Sequence, residues 1–304
     1  MYRICLDMPF VSMRDGHRVH VRVLGRGAPC VLMHGFASSG GSWLPFIAPL
    51  LHRYRFVVPD LRGFGRSQQA PLRSSCPLDT YADDLAELAE ELGLTGAPLI
   101  GMSMGALSAV RCFERGRSPR FSRYMHIDQG LVIHNAADAP HGLLGAAQAG
   151  FFARVRALLD ALDAYDPGRY ADLPAAFRRD LAGVFSEFAS AAFTHPQVRE
   201  AVERATAEPR LLPWFLPAAG FATHVQIMRA YLERRYDLRA GFAAIPVPSV
   251  VLIGGASRMY PPEGQRRIAR LSARARAVEL PGVGHMLPLE APRAFVRELH
   301  TFLA

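Results

Sequence analysis

Ser103 sits in Gly101-Met102-Ser103-Met104-Gly105, a G-x-S-x-G pentapeptide. A serine hydroxyl is a poor nucleophile until a positioned base takes its proton. In this pattern a sharp strand-to-helix turn lifts the hydroxyl to the top of a sheet, in a strained backbone that small flanking residues permit. The helix that follows aims its N-terminus at any negative charge developing beside the serine. The pentapeptide is common by chance, so its flanks carry the weight. Ala97-Pro98-Leu99-Ile100 reads as a short buried strand and Ala106 to Arg115 as a helix. The candidate base is His285 in Gly282-Val283-Gly284-His285, a loop after the last expected strand whose glycines allow close backbone approach. The remaining histidines, His34 apart, are read as surface residues.

The elements that must position these groups follow from patterning. Arg18 to Leu24 alternates and ends at Gly25-Arg26-Gly27, a hairpin-like exit. Apolar runs at Pro29–Met33, Phe56–Val58 and Arg123–Ile127 read as further strands, as do Pro248–Ile253 and Ala275–Leu280. Helices are expected from Ser42 to Leu51, from Thr80 to a stop at Gly93, and from Ala291 to Leu303. Solid apolar runs separated by amphipathic helices indicate a parallel sheet covered on both faces. Between about Leu131 and Ala240 no strand is evident. Phe151, Val155, Leu158 and Leu162 form one helical stripe, and Phe177, Leu181, Val184 and Phe188 a second. A last helix is expected near Val225, Met228 and Leu232, after the Pro-rich link Leu211–Pro217.

Composition narrows the function. Of 304 residues, half are apolar and a fifth charged, ordinary for a globular chain. The net charge is +8, and all 35 basic residues are arginine. Without lysine there is no Schiff base and no P-loop. The arginines are spread along the chain, so a solvated basic surface is expected rather than a nucleic-acid site. No apolar stretch approaches the ~18 residues of a membrane span. The opening residues Met1 to Asp7 lack the apolar core of a secretion signal, so a cytoplasmic location is expected. Cys5, Cys30, Cys76 and Cys112 have no paired spacing and read as reduced thiols. No metal or cofactor is expected: H-E-x-x-H and a complete G-x-G-x-x-G are absent.

Together His34-Gly35, the segment Pro59-Asp60-Leu61-Arg62-Gly63-Phe64-Gly65-Arg66-Ser67, the pentapeptide and Gly284-His285 resemble, in order, the α/β-hydrolase fold family. The resemblance spans essentially the whole chain. It implies a mostly parallel eight-stranded sheet flanked by helices. Residues 1–130 and 241–304 would form the core domain, and 131–240 a helical cap inserted between strands 6 and 7. It also implies oxyanion donors at the backbone N–H groups of Phe36 and Met104, each typically worth about 3–4 kcal/mol in the transition state. His34 would order that loop, and Asp60 would hold loops together. An aspartate nucleophile, used by dehalogenases and epoxide hydrolases of this fold, is disfavoured by Ser103.

The family's usual acid position departs from pattern. Gly254-Gly255-Ala256-Ser257 places Ser257 there, and serine cannot stabilise an imidazolium as a carboxylate does. Either the site is a dyad or the acid has moved. Asp128 ends the strand expected beside that of the serine, whose C-terminal end faces the ligand crevice of open α/β sheets. A branch of the haloalkane dehalogenases is similar in placing its acid there. Asp128 is therefore the favoured acid, with Asp138 and Glu263 weaker candidates. Of the cap aromatics, Phe151, Phe152, Phe185, Phe188 and Phe221 are read as cap core, and Trp214 and Phe215 are expected to line the substrate pocket with His34, Met102 and Met286. The expected function is hydrolysis of a carboxylic ester, thioester or lactone bearing a small-to-medium apolar group, through an acyl-enzyme. Acyl transfer, carbon–carbon bond hydrolysis, biosynthetic thioesterase activity and a non-catalytic small-ligand receptor stay open. The expected partner is a small molecule; monomer and dimer are equally open.

Overall fold

A computed structural model describes residues 5–7, 9–117, 121–165 and 170–304, without the side chains of 5–7. The reading of Met1 to Ile4 and of the Cys5 thiol lies outside the described residues. The strands are β1 (Cys5–Asp7), β2 (Phe10–Ser12), β3 (Arg18–Gly25), β4 (Ala28–Met33), β5 (Tyr54–Pro59), β6 (Leu99–Met102), β7 (Tyr124–Ile127), β8 (Ser249–Gly254) and β9 (Ala275–Leu280). Eight of them form one sheet in the order β1-β3-β5-β4-β6-β7-β8-β9, and β2 pairs with β3 off this path. Pairing is parallel from β5 through β9 and antiparallel at β1–β3 and β3–β5. The expected eight-stranded, mostly parallel sheet is present. The short strand β2 was not anticipated.

Alternation along the central strands sends side chains into two cores, because successive residues point to opposite faces. Val31, Leu99, Tyr124 and Val251 enter one core, which holds α2 (Pro77–Glu91) and α3 (Met104–Glu114). Leu32, Ile100, Met125 and Leu252 enter the other, with Trp43, Phe46 and Phe295. Trp43 and Phe46 come from short turns around α1 (Leu44–Ile47), and Phe295 from the final helix α12 (Pro292–Leu303). The single helix expected from Ser42 to Leu51 is broken into three short pieces. Pro45 and Pro49 each open a new turn and cannot supply the N–H that would join them.

The Gly25–Gly27 turn is not a hairpin. β3 and β4 flank β5 on opposite sides, so the chain crosses the end of that strand. Both glycines have φ +93°, and a Cβ on Gly27 would stand 2.2 Å from the Arg53 carbonyl oxygen.

Between β7 and β8, the sixth and seventh strands of the eight-stranded path, the chain forms helices. These are α4 (Gln148–Leu162), α5 (Ala175–Ser190), α6 (Pro196–Ala207), α7 (Leu212–Phe215), α8 (Phe221–Glu233) and α9 (Arg239–Ala243). The helix α6 was missed: its apolar positions are mostly alanine and valine, a weak stripe. An isolated antiparallel bridge, Val132–Asp237, joins the two ends of this segment. After β8 come α10 (Pro262–Ile268) and α11 (Leu287–Glu290).

The surface reading fails for two buried histidines: His126 holds the turn after β7 and His224 docks a helix on the core. His126 Nε2 donates to the Gln129 carbonyl at 2.8 Å, and its Nδ1 lies 2.9 Å from the Tyr124 hydroxyl, which donates to the Ala106 carbonyl. His224 Nε2 donates to the Gly63 carbonyl at 2.7 Å, docking α8 on a core loop. Burial lowers both groups to about 4, from an ordinary value of 6.5. Below pH 6.5 the unfolded chain takes up these protons while the folded chain does not, so stability falls as pH drops toward 4. The full effect is roughly 3 kcal/mol per site. Urea unfolding at pH 7 and pH 4.5 measures the loss. His224→Gln should narrow the gap between the two by about 2 kcal/mol; an unchanged gap would contradict the assignment.

Candidate active site

The serine turn is built by close backbone approach. Ser103 has φ 53° and ψ −128°, a conformation rarely adopted by a residue with a side chain. Its N–H donates to the Ile127 carbonyl at 3.0 Å, which ties the turn to β7. A Cβ on Gly101 would lie 2.6 Å from Ala106 Cα, and one on Gly105 would lie 2.6 Å from the carbonyl oxygens of Met33 and His34. Gly35 brings the loop after β4 against the serine: a Cβ there would be 2.9 Å from Ser103 Cβ. Larger residues at these three positions would force β4, β6 and α3 apart.

Asp128 follows the last residue of β7 with φ 42°, and its N–H donates to the Leu252 carbonyl at 2.9 Å. Its carboxyl group has no exposed surface and receives four hydrogen bonds. His285 Nδ1 lies 2.7 Å from Oδ2, and the Ser257 hydroxyl donates to the same oxygen at 2.7 Å. The Gly254 N–H donates to Oδ1 at 2.8 Å and Gln265 Nε2 at 2.9 Å. A buried carboxylate needs such donors. The contact with Asp128 assigns the His285 proton to Nδ1 and leaves Nε2 free to accept one. Ser257 thus sits against an acid instead of replacing it. Asp138 pairs with Arg239 and Glu263 with Arg266; both carboxylates are more than half exposed, and neither is bonded to His285. Gln265 carried no signal in the sequence, because it meets Asp128 only when α10 packs behind β8.

The histidine loop is itself clamped. Glu290 accepts from the Gly284 N–H at 2.5 Å and from the Thr194 hydroxyl at 2.9 Å. The Met286 N–H donates to the Ala192 carbonyl at 3.1 Å, and the Ala256 N–H to the Val283 carbonyl at 2.9 Å. Ser103 Oγ makes no hydrogen bond to His285 among the described residues. Both line one cavity.

The backbone N–H groups of Phe36 and Met104 have no hydrogen-bond partner among the described residues. Ala37, at the end of the same loop, has φ 55°. Three of the four non-glycine residues described with positive φ, Ala37, Ser103 and Asp128, therefore belong to this site. The loop is held by His34, whose Nδ1 donates to the Gly35 carbonyl at 2.8 Å and whose Nε2 accepts from the Leu61 N–H at 2.9 Å. Burial lowers the His34 imidazole below its ordinary value. Asp60 anchors the neighbouring loops: it accepts from Arg22 Nη1 at 2.6 Å, the Gly40 N–H at 2.7 Å and the Arg66 N–H at 2.9 Å.

Two cavities meet at Ser103. The larger, about 640 Å³, is lined by His34, Met102, Phe215, His285 and Met286 among others. The smaller, about 80 Å³, lies between Met104, Tyr260 and the helices α4, α5 and α8. Trp214 lines neither and is 84% exposed. It stands two residues after the buried Leu212 on the single turn α7, so the two side chains leave on opposite sides. The expectation that Trp214 faces the pocket is corrected, whereas Phe215 does line the larger cavity.

The chain is 29% identical over 292 residues to a putative non-heme chloroperoxidase of Synechocystis sp., covering 92% of this chain and 94% of that one. It is 27% identical to a pimeloyl-[acyl-carrier protein] methyl ester esterase of Xanthomonas oryzae pv. oryzae, covering 88% and 91%. An esterase structure from Exiguobacterium antarcticum shares the fold, with a TM-score of 0.74, 23% identity and coverage of 96% and 98%. The model of the alpha/beta hydrolase family matches residues 30–298, from β4 into the final helix α12, and the chain belongs to that family.

Proposed function

We propose that the protein is a serine hydrolase that cleaves a carboxylic ester, thioester or lactone with a small-to-medium apolar substituent. Ser103 Oγ attacks the carbonyl carbon while His285 Nε2 takes its proton. The oxyanion accepts the N–H groups of Phe36 and Met104 at the N-terminus of α3. His285 returns the proton to the leaving alcohol or thiol, and the bond to that group breaks. Water then attacks the acyl-enzyme with His285 again as base, which frees the acid and restores Ser103. Asp128 orients His285 and stabilises its imidazolium.

The single observation that carries the reading is the 2.7 Å contact between His285 Nδ1 and a fully buried, four-fold hydrogen-bonded Asp128, with His285 and Ser103 on one cavity wall. The name of the methyl ester esterase relative agrees with ester cleavage. In this reading residues 131–240 act as a cap that screens the serine from bulk water, held against the histidine loop through Ala192 and Thr194.

A fluorophosphonate probe should label the folded protein, and Ser103→Ala should abolish the label. No labelling of folded wild-type protein would favour a ligand receptor. In aryl-ester turnover Asp128→Asn should lower kcat/KM by about 10³- to 10⁴-fold. Ser257→Ala, which removes one hydrogen bond to a carboxylate that keeps three others, should cost no more than about tenfold. Equal and mild losses from both would sink the assignment of Asp128.

A further inference from the structure

The two cavities at Ser103 are unequal in size and in chemistry. Only the larger is lined by His285. In the acyl-enzyme reading, on which this inference rests, His285 must hand its proton to the leaving oxygen or sulfur. A proton donor has to lie within hydrogen-bond reach of the atom it protonates. The leaving group therefore occupies the larger cavity. The acyl chain, on the other side of the carbonyl carbon, is left the smaller cavity, whose wall includes Ser103 and Met104.

Size then limits the acid. The smaller cavity offers about 80 Å³, roughly an eighth of the larger one's 640 Å³, so a long acyl chain is what it excludes first. Its wall is almost wholly apolar, including Leu143, Phe151, Val155 and Leu181. The larger cavity, about 640 Å³, falls within the range of pockets that enclose ligands of drug size.

Five residues line both cavities: Phe36, Ser103, Phe185, Phe188 and Met259. Phe188, on α5, is the hub of the aromatic wall between them. Its ring lies 5.9 Å from that of Phe36, 6.2 Å from Phe151 and 6.5 Å from Phe185, centroid to centroid. Phe151 lines only the smaller cavity, so Phe188 spans the boundary. We propose that Phe188 is the specificity-determining partition of this site, and that the substrates are esters or thioesters of a short apolar acid with a bulky apolar leaving group.

The test is kcat/KM for the p-nitrophenyl acetate, butyrate, hexanoate and decanoate series, with fluorophosphonate labelling of each variant. Wild-type protein should lose about 100-fold between butyrate and decanoate. Phe188→Ala should shrink that ratio below about tenfold by raising the decanoate value, because removing the ring joins the two cavities. Phe188→Leu removes less volume and should give an intermediate ratio, which keeps the test decisive if the alanine variant does not fold. Phe193 lines only the larger cavity. Phe193→Ala should change the preference between p-nitrophenyl and naphthyl butyrate while leaving the acyl ratio in place. Equal rates for butyrate and decanoate in the wild type, or an unchanged ratio in Phe188 variants that still label at Ser103, would overturn the proposal. A wild-type protein that neither labels nor turns over any ester would instead sink the acyl-enzyme reading beneath it.

Discussion

The buried contact between Asp128 and His285 is the constraint around which the site is built. Asp128 is fully enclosed, so each of its oxygens must find donors within the protein. Those donors come from four places in the chain: the end of β8, the loop after it, α10 and the histidine loop. Meeting that demand fixes the spacing between β7 and β8 and the tilt of α10. It also sets the imidazole, because the proton on Nδ1 leaves Nε2 as the free face. The positive φ of Asp128 belongs to the same constraint, since it turns the carboxyl group back under β8.

Ser103 depends on a different kind of packing. Gly35, Gly101 and Gly105 remove side chains where β4, β6 and α3 come into contact. The resulting strain is held by hydrogen bonds and two cores, one on each face of the sheet. The Ser103 N–H bond to the Ile127 carbonyl links the two, and both lie at the C-terminal ends of parallel strands. Parallel pairing of β6, β7 and β8 brings serine and acid side by side. Phenylalanines of the helical segment after Asp128 line the two apolar spaces that meet at the serine.

Much of this was legible in the residues. The pentapeptide and the glycine-flanked His285 are local patterns, and so are the apolar runs that mark most strands. Local patterns survive because they reflect backbone geometry a few residues long. The stripes of α4 and α5 were equally readable. Three of the misses share one cause. The Gly25–Gly27 turn looked like a hairpin until the position of β5 was known. Trp214 looked like pocket lining until the facing of one helical turn was known. Gln265 had no signal, because its partner lies 137 residues away.

The sequence by itself determined the nucleophile candidate, the base candidate, the sheet class and the helical segment between the sixth and seventh strands. Each rests on the identity and spacing of neighbouring residues. Only the tertiary structure decided that Asp128, not Ser257, Asp138 or Glu263, touches His285. Only it decided that Ser257 donates to that acid, and that Phe188 stands between a small cavity and a large one. These are distances between residues far apart in the chain, and they exist only once the strands have paired and the helices have packed.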